Sequence, residues 1–229
     1  MKPFKIYDRV YQIGGPQITA PEDCCVYLLD GGSELAVIDA GAGKSAPELI
    51  ANIGKLGLDP ALVRYLVATH GHIDHTGGLA YLQERLGAEV AAHERELAAV
   101  EGKNAALNAA HYYGVKYRPV KVDVIIKGEE QTLPVGNLRL TCLHTPGHTP
   151  GGLSPYVEIG AKKILFGQDI HGPFNAAWGS NLAEWTRSMR RLLALAPDIL
   201  CEGHFGIYQP AEKVRQYIEG YLDRYSPAL

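Results

Sequence analysis

The chain has 229 residues, with 46% hydrophobic and 21% charged residues, enough to bury a substantial core and ordinary for one globular domain over residues 1–229. A formal net charge of -3 and a pI near 6.3 give no long-range attraction to nucleic acid or anionic membrane, so a small-molecule partner is expected and neither of those is. The start M-K-P-F-K-I-Y-D lacks a signal-peptide run, no stretch approaches the roughly 20 apolar residues of a membrane span, and the four cysteines show no C-x-x-C spacing. These features place the protein in the cytoplasm with reduced thiols, while a homo-oligomer stays open.

Short β-patterned runs open the chain: F-K-I-Y, V-Y-Q-I, C-C-V-Y-L-L and L-A-V-I, the last two joined by the turn D-G-G-S-E, which together predict an antiparallel meander. A helix over 46–56, a buried strand over 65–68, a helix over 79–86 and a strand over 89–92 follow. From His93 to about Tyr113 the many alanines favour helix, and Y-Y-G-V-K-Y-R-P after it reads as irregular. This section, about 93–118, is expected to cap something.

A second β set is read in V-D-V-I-I, L-R-L-T-C-L, S-P-Y-V-E-I and K-I-L-F. A helix over 182–195, a strand D-I-L-C and a helix over 211–221 complete the chain. Strand runs closed by helices, twice over and with no linker between, predict an α+β protein of two packed sheets with helices outside.

The chemistry concentrates in T-H-G-H-I-D-H at 69–75, directly after the buried strand. Imidazole nitrogens and carboxylate oxygens suit zinc or a similar first-row metal. His70 and His72 project together if the segment is extended, and Asp74 and His75 could turn towards a neighbouring point. Further candidates stand at the ends of later β runs: His148 in T-P-G-H-T-P-G-G, Asp169 in G-Q-D, and His204 in E-G-H-F-G. Rigid strands can aim several such loops at one place.

In order, T-H-G-H-I-D-H, P-G-H-T-P-G, the later Gly-x-Asp, the Gly-His near the end and the early D-A-G at 39–41 resemble the motifs of the metallo-β-lactamase superfamily. The resemblance implies a four-layer αβ/βα sandwich with two divalent metal ions at one edge, zinc first, with iron or manganese also accepted by these ligands. It implies that His70, His72 and His148 bind one ion, Asp74, His75 and His204 the other, and that Asp169 bridges them. Asp74 would also steer the leaving-group proton.

Within the superfamily, His72 departs from the carboxylate usual in oxygen-reducing diiron members, and Asp169 from true lactamases. Gly172 stands where quorum-signal lactonases often have tyrosine. Glyoxalase II is similar through P-G-H-T-P-G and the Gly-His, yet residues 205–229 are too few for its glutathione-gripping helical domain.

The expected function is therefore hydrolysis of a small ester, thioester or lactone by a metal-bound hydroxide. Two alternatives belong to other classes: a mononuclear iron persulfide dioxygenase using His70, His148 and Asp169, and a non-catalytic metal-binding protein.

Weaker signals concern the surroundings. His111, Tyr112, Tyr113, Tyr117 and Arg118 in H-Y-Y-G-V-K-Y-R are candidates to line a substrate pocket, Tyr112 and Tyr117 first among them, and His171 and Trp178 in H-G-P-F-N-A-A-W-G-S are expected to border the site. D-A-G-A-G-K-S at 39–45 lacks the first glycine of a phosphate loop and reads instead as a tight turn into a helix.

Overall fold

The computed structural model describes residues 1–225. The meander forms as β1 (Phe4–Tyr7), β2 (Val10–Gly14), β3 (Val26–Asp30) and β4 (Leu35–Ile38), each antiparallel to the last. Helix α1 (Ala46–Lys55) then leads to β5 (Val63–Val67), a single helical turn α2 (Ile73–Thr76), α3 (Leu79–Leu86) and β6 (Glu89–His93). Strands β5 and β6 run parallel to β4 and to each other, as helical crossovers require.

The alanine-rich section departs from expectation. It is helical only in a 3-10 turn at Glu94–Glu96, the one-turn α4 (Leu97–Val100) and a second 3-10 turn at Ala110–Tyr113; the rest is turn and coil. Helix propensity is overridden here because Glu96 and Ala99 are drawn inward against the loop between His70 and His72.

Strand β7 (Val124–Ile126) also departs: it was grouped with the second β set but pairs parallel with β6 and completes a seven-stranded first sheet in the order β1-β2-β3-β4-β5-β6-β7. The second sheet comprises β8 (Glu130–Val135), β9 (Leu138–His144), β10 (Leu153–Ile159), β11 (Lys162–Gln168), β12 (Ile199–Glu202) and β13 (Ile207–Tyr208). Strand β8 lies outside the β runs read from sequence; it carries Pro134, which a sheet tolerates at its border, and β8 is an edge strand. Helices α5 (Leu182–Leu195) and α6 (Ala211–Tyr225) close the chain.

Alternation along the strands builds three apolar layers. Leu28, Val37 and Leu66 face α1 and α3 through Leu49, Ile53 and Leu82. Tyr27, Leu29 and Val67 face the other sheet through Leu140, Val157 and Phe166. Leu165 and Leu200 on the far side meet Met189 and Leu192 of α5 and Val214 and Ile218 of α6. Helix, sheet, sheet and helix thus stack as four layers, and burying each such side chain stabilises the fold by about 1.5–3 kcal/mol.

The turn at 39–45 is tied to Asp23, whose carboxylate accepts the Ser45 hydroxyl and, at 2.8 Å, the Ala42 N–H. Lys44 stays exposed beside Glu22, so this is a turn into α1 and no phosphate cradle. All four cysteines are buried and free. Among the described residues no helix is long and apolar enough to cross a membrane.

Candidate metal centre

The segments after β5, β9, β11 and β12 meet at one edge of the two sheets, and each delivers one part of the centre. The chain leaves β5 through a bend at residues 69–71 that carries His70, and His72 is in extended backbone. Turn α2 begins immediately after them, with His72 as its N-cap residue, and swings Asp74 and His75 round to a second point. A helical turn, where a loop was expected, supplies that change of direction.

Two donor sets result. Nδ1 of His72 lies 3.1 Å from Nε2 of His70 and 3.0 Å from Nε2 of His148, and Asp169 Oδ2 lies 3.9 and 3.6 Å from those two Nε2 atoms. On the other side, Nε2 of His75 and His204 are 3.4 Å apart, and each is 3.2 Å from Asp169 Oδ1. Asp74 Oδ2 stands 3.7 Å from His75 Nε2 and 3.5 Å from His204 Nε2. Donors around a tetrahedral ion with bonds of 2.0–2.1 Å are about 3.3 Å apart, so both sets have the spacing of ligands.

One further observation fits an ion. Asp169 Oδ1 is buried and makes no hydrogen bond despite two nitrogens at 3.2 Å. Polar atoms in that state are costly unless something outside the chain satisfies them.

The neighbouring atoms fix which nitrogen each ring presents. His75 Nδ1 donates to Asp39 Oδ2 at 2.6 Å, His148 Nδ1 donates to the Pro173 carbonyl at 2.6 Å, and His70 Nδ1 lies 3.3 Å from the Thr69 hydroxyl. That hydroxyl in turn donates to Asp39, which also accepts the Gln168 amide. Asp39 and Gln168 both hold positive φ, 63° and 46°, a backbone cost accepted where this network is assembled. Such partners orient a ligand ring and raise its basicity.

The two sets differ in charge. Burial, reinforced by neighbouring histidines, lowers the proton affinity of His70 and His72 well below the ordinary range; burial also lowers that of His148. Those rings are neutral, with lone pairs free. Burial would also lower His75, but the Cys24 thiol and the carboxylates of Asp169, Asp39 and Asp74 outweigh it and hold His75 well above the ordinary range. His204 is raised in the same way, burial being outweighed by Asp169. Burial alone would raise Asp169, yet His75 and His204 hold it well below the carboxylate range.

Close approach dictates two glycines. A Cβ on Gly203 would sit 2.6 Å from Asp169 Oδ1, and one on Gly71 would sit 2.3 Å from the Ala99 Cβ. The second matters because Glu96, buried just before α4, accepts the Gly71 N–H at 2.8 Å through Oε2 and the Gly151 N–H at 2.7 Å through Oε1. One carboxylate thus joins the loops of His70 and His148. Burial holds that carboxyl above the usual range.

A cavity of about 770 Å³ opens onto both donor sets and is lined by Tyr112, Trp178 and His171. Trp178 lies edge-on to His72 at 4.6 Å between ring centroids, and His171 Nδ1 is 2.6 Å from Glu202 Oε1. Tyr117 does not line this cavity; its hydroxyl donates to the Val100 carbonyl at 2.7 Å, and it acts as a packing residue.

Tyr113, one of the tyrosines of H-Y-Y-G-V-K-Y-R, lines the cavity together with Asp74. Several residues of the site had no role assigned from sequence. Phe174 and Phe205 complete the wall. Glu202 is fully buried, and its Oε2 accepts the backbone N–H of His204 at 2.6 Å and of Phe205 at 2.7 Å. Glu202 and Gln168 stood inside the quoted motifs, which was the available signal. Glu96 had none.

A family model described as the metallo-beta-lactamase superfamily matches residues 20–204. The chain is 28% identical to an acyl-coenzyme A thioesterase, MBLAC2, of Gallus gallus, over 96% of this chain and 83% of that protein. It is 31% identical to a probable metallo-hydrolase of Burkholderia pseudomallei, over 89% and 75%. A hydroxyacylglutathione hydrolase of Anaeromyxobacter dehalogenans is 36% identical, over 58% of this chain and 41% of the relative. Among solved structures, a metallo-β-lactamase of Cronobacter sakazakii with an altered HARLDQ motif superposes with a TM-score of 0.82 at 25% identity, over 98% of this chain and 95% of that one.

Proposed function

The chain belongs to the metallo-β-lactamase superfamily, and on that premise we propose that it is a two-metal hydrolase of small thioesters, esters or lactones. The observation that carries this reading is Asp169, whose Oδ2 faces the set of His70, His72 and His148 while its Oδ1 faces the set of His75 and His204. In this reading His70, His72 and His148 hold one divalent ion, Asp74, His75 and His204 hold the other, and Asp169 spans both. When bound, such a pair would supply an activated water near neutral pH and Lewis-acid polarisation of the substrate carbonyl. Zinc is the ion we favour from the nitrogen-rich donor set.

The chain's own groups do the rest. Asp74, which lines the cavity beside Tyr113 and stands 3.5 Å from His204 Nε2, is placed to hold a proton at its carboxylate and deliver it to the leaving group. Trp178 and Tyr112 cover the cavity and exclude bulk water, and His171 borders it on the side of His204. The segment at about 93–118 acts as the cap through Tyr112 and Tyr113. Thioesters stand first among the substrates because one relative is named a thioesterase.

The test is elemental analysis of protein purified without added metal, followed by assays on thioester, ester, lactone, phosphodiester and persulfide substrates. Two ions per chain with hydrolysis of an acyl substrate is the expected result. A single iron with oxygen consumption on a persulfide, and no acyl hydrolysis, would overturn it in favour of a dioxygenase.

A further inference from the structure

The cavity has two unlike walls. One is the metal-facing set of histidines and carboxylates. The other is Tyr112, Tyr113, Phe174, Trp178 and Phe205, and among the described residues no lysine or arginine lines the cavity. A volume of about 770 Å³ lies well inside the range of roughly 300–1,000 Å³ typical of small-molecule sites, far more than an acetyl group needs.

The aromatic wall is built in place. Ser180 Oγ donates to the His148 carbonyl at 2.6 Å and accepts the Asn175 N–H at 2.9 Å, so the loop bearing Trp178 is fastened to the loop bearing His148. Asn175 Oδ1 accepts the Ala177 N–H at 2.9 Å and sets the turn that presents Trp178. Phe174 is held edge-on between Trp185 and Tyr225, at centroid distances of 5.3 and 5.1 Å. Tyr112 meets Trp178 edge-on at 5.9 Å and lies 3.4 Å from the Asn175 amide, which links the two sides of the mouth.

Resting on the hydrolase reading above, we infer that the aromatic wall selects an uncharged acyl group with substantial apolar bulk, such as a medium-length alkyl or an aryl-alkyl group. The reason is desolvation. An apolar chain placed against these rings leaves water at no polar cost, whereas an ionised acyl terminus on this wall, away from the metal-facing side, would lose its hydration with no cationic side chain to replace it. Very short acyl groups would leave much of the wall without contact, so they gain little. Tyr112, Tyr113, Phe174, Trp178 and Phe205 are thereby specificity-determining residues.

The experiment compares acetyl, hexanoyl, phenylacetyl and glutaryl thioesters of N-acetylcysteamine, a small uncharged leaving group, with metal-loaded protein. Expected are kcat/KM values for hexanoyl and phenylacetyl at least about tenfold above acetyl, and glutaryl at least about tenfold below hexanoyl. Tyr112 is exposed, so Tyr112→Arg tests the charge argument with little risk to folding, and it should raise the glutaryl-to-hexanoyl ratio about tenfold. Binding of phenylacetamide and of glutaramate, followed by tryptophan fluorescence, gives a readout that needs no turnover.

Selective binding of phenylacetamide with no hydrolysis of these thioesters, nor of the ester and lactone substrates named above, would refute the hydrolase reading and leave the wall's preference standing. Hydrolysis of glutaryl and hexanoyl thioesters within about threefold of each other would keep the hydrolase and overturn the inference. So would a Tyr112→Arg ratio equal to that of the parent.

Discussion

His75 gives its Nδ1 hydrogen to Asp39 at 2.6 Å, and this bond leaves Nε2 as the atom that faces Asp169. Asp39 sits at the end of β4, accepts the Thr69 N–H at 2.8 Å, and so ties the ring to the backbone that carries His70. An amide at position 39 keeps the shape but offers one acceptor oxygen to partners that now use two. Asp39→Asn is expected to lower affinity for one of the two ions about 10–100-fold, read by competition with a chromophoric chelator. Unchanged affinity for both ions would show that Asp39 does not orient the ring.

Glu96 is a different kind of support, because its two oxygens hold two loops far apart in sequence. Glu96→Ala leaves the Gly71 and Gly151 N–H groups buried and unpaired, and each such group costs about 1–3 kcal/mol. Urea unfolding should show a loss of about 2–5 kcal/mol, with Glu96→Gln intermediate because it keeps one acceptor. A loss below about 1 kcal/mol for the alanine variant would mean that water replaces the carboxylate.

The site was more legible in the sequence than its surroundings, and for a physical reason. Ligands must reach one point, so four of the candidates crowd into residues 70–75, His148 and His204 each directly follow a glycine, and Asp169 stands two residues after one. Their supports answer to no such rule: Glu96 bonds Gly71 and Gly151 through backbone atoms, and no side-chain pattern records that. Strand partners are equally unrecorded. The run at 122–126 was recognisably β, but nothing local says that β7 pairs with β6 instead of opening the second sheet. The section 93–113 misled because alanine reports intrinsic preference, whereas tertiary contacts of Glu96 and Ala99 decided the outcome.

His93 and His144, at the ends of β6 and β9, stack 3.9 Å apart with an 8° interplanar angle. His93 Nδ1 accepts the Arg95 N–H at 3.2 Å, so that ring is neutral in this arrangement, and His144 Nε2 donates to the Pro150 carbonyl at 3.1 Å. Burial lowers both, and for His93 the neighbouring His144 adds to it. The unfolded chain therefore takes up protons at these rings below about pH 6.5 while the folded chain does not. Their contribution to stability is complete above that pH and drains away as pH falls towards the lowered folded values. The urea midpoint should drop between pH 7.5 and 5.5, and His144→Phe should drop less over the same interval. An equal drop in both proteins would remove the pair from the account.

The unequal protonation of the two donor sets gives the centre a pH dependence of its own. His70, His72 and His148 are lowered by burial and are neutral at pH 7, so an ion entering that set displaces no proton from the rings. His75 and His204 are raised by Asp169 and its neighbouring anions, against the effect of burial, so an ion entering the second set must release protons. As pH falls, mass action by protons weakens the second set first. Protein dialysed against limiting zinc should carry two ions per chain at pH 8 and approach one at pH 5.5, with His204→Ala near one at both. Activity should follow the second ion on the acid side. Equal loss of both ions on acidification, or a His204→Ala protein that still loads two, would mean that Asp169 does not divide the centre into the two unequal halves that its oxygens face.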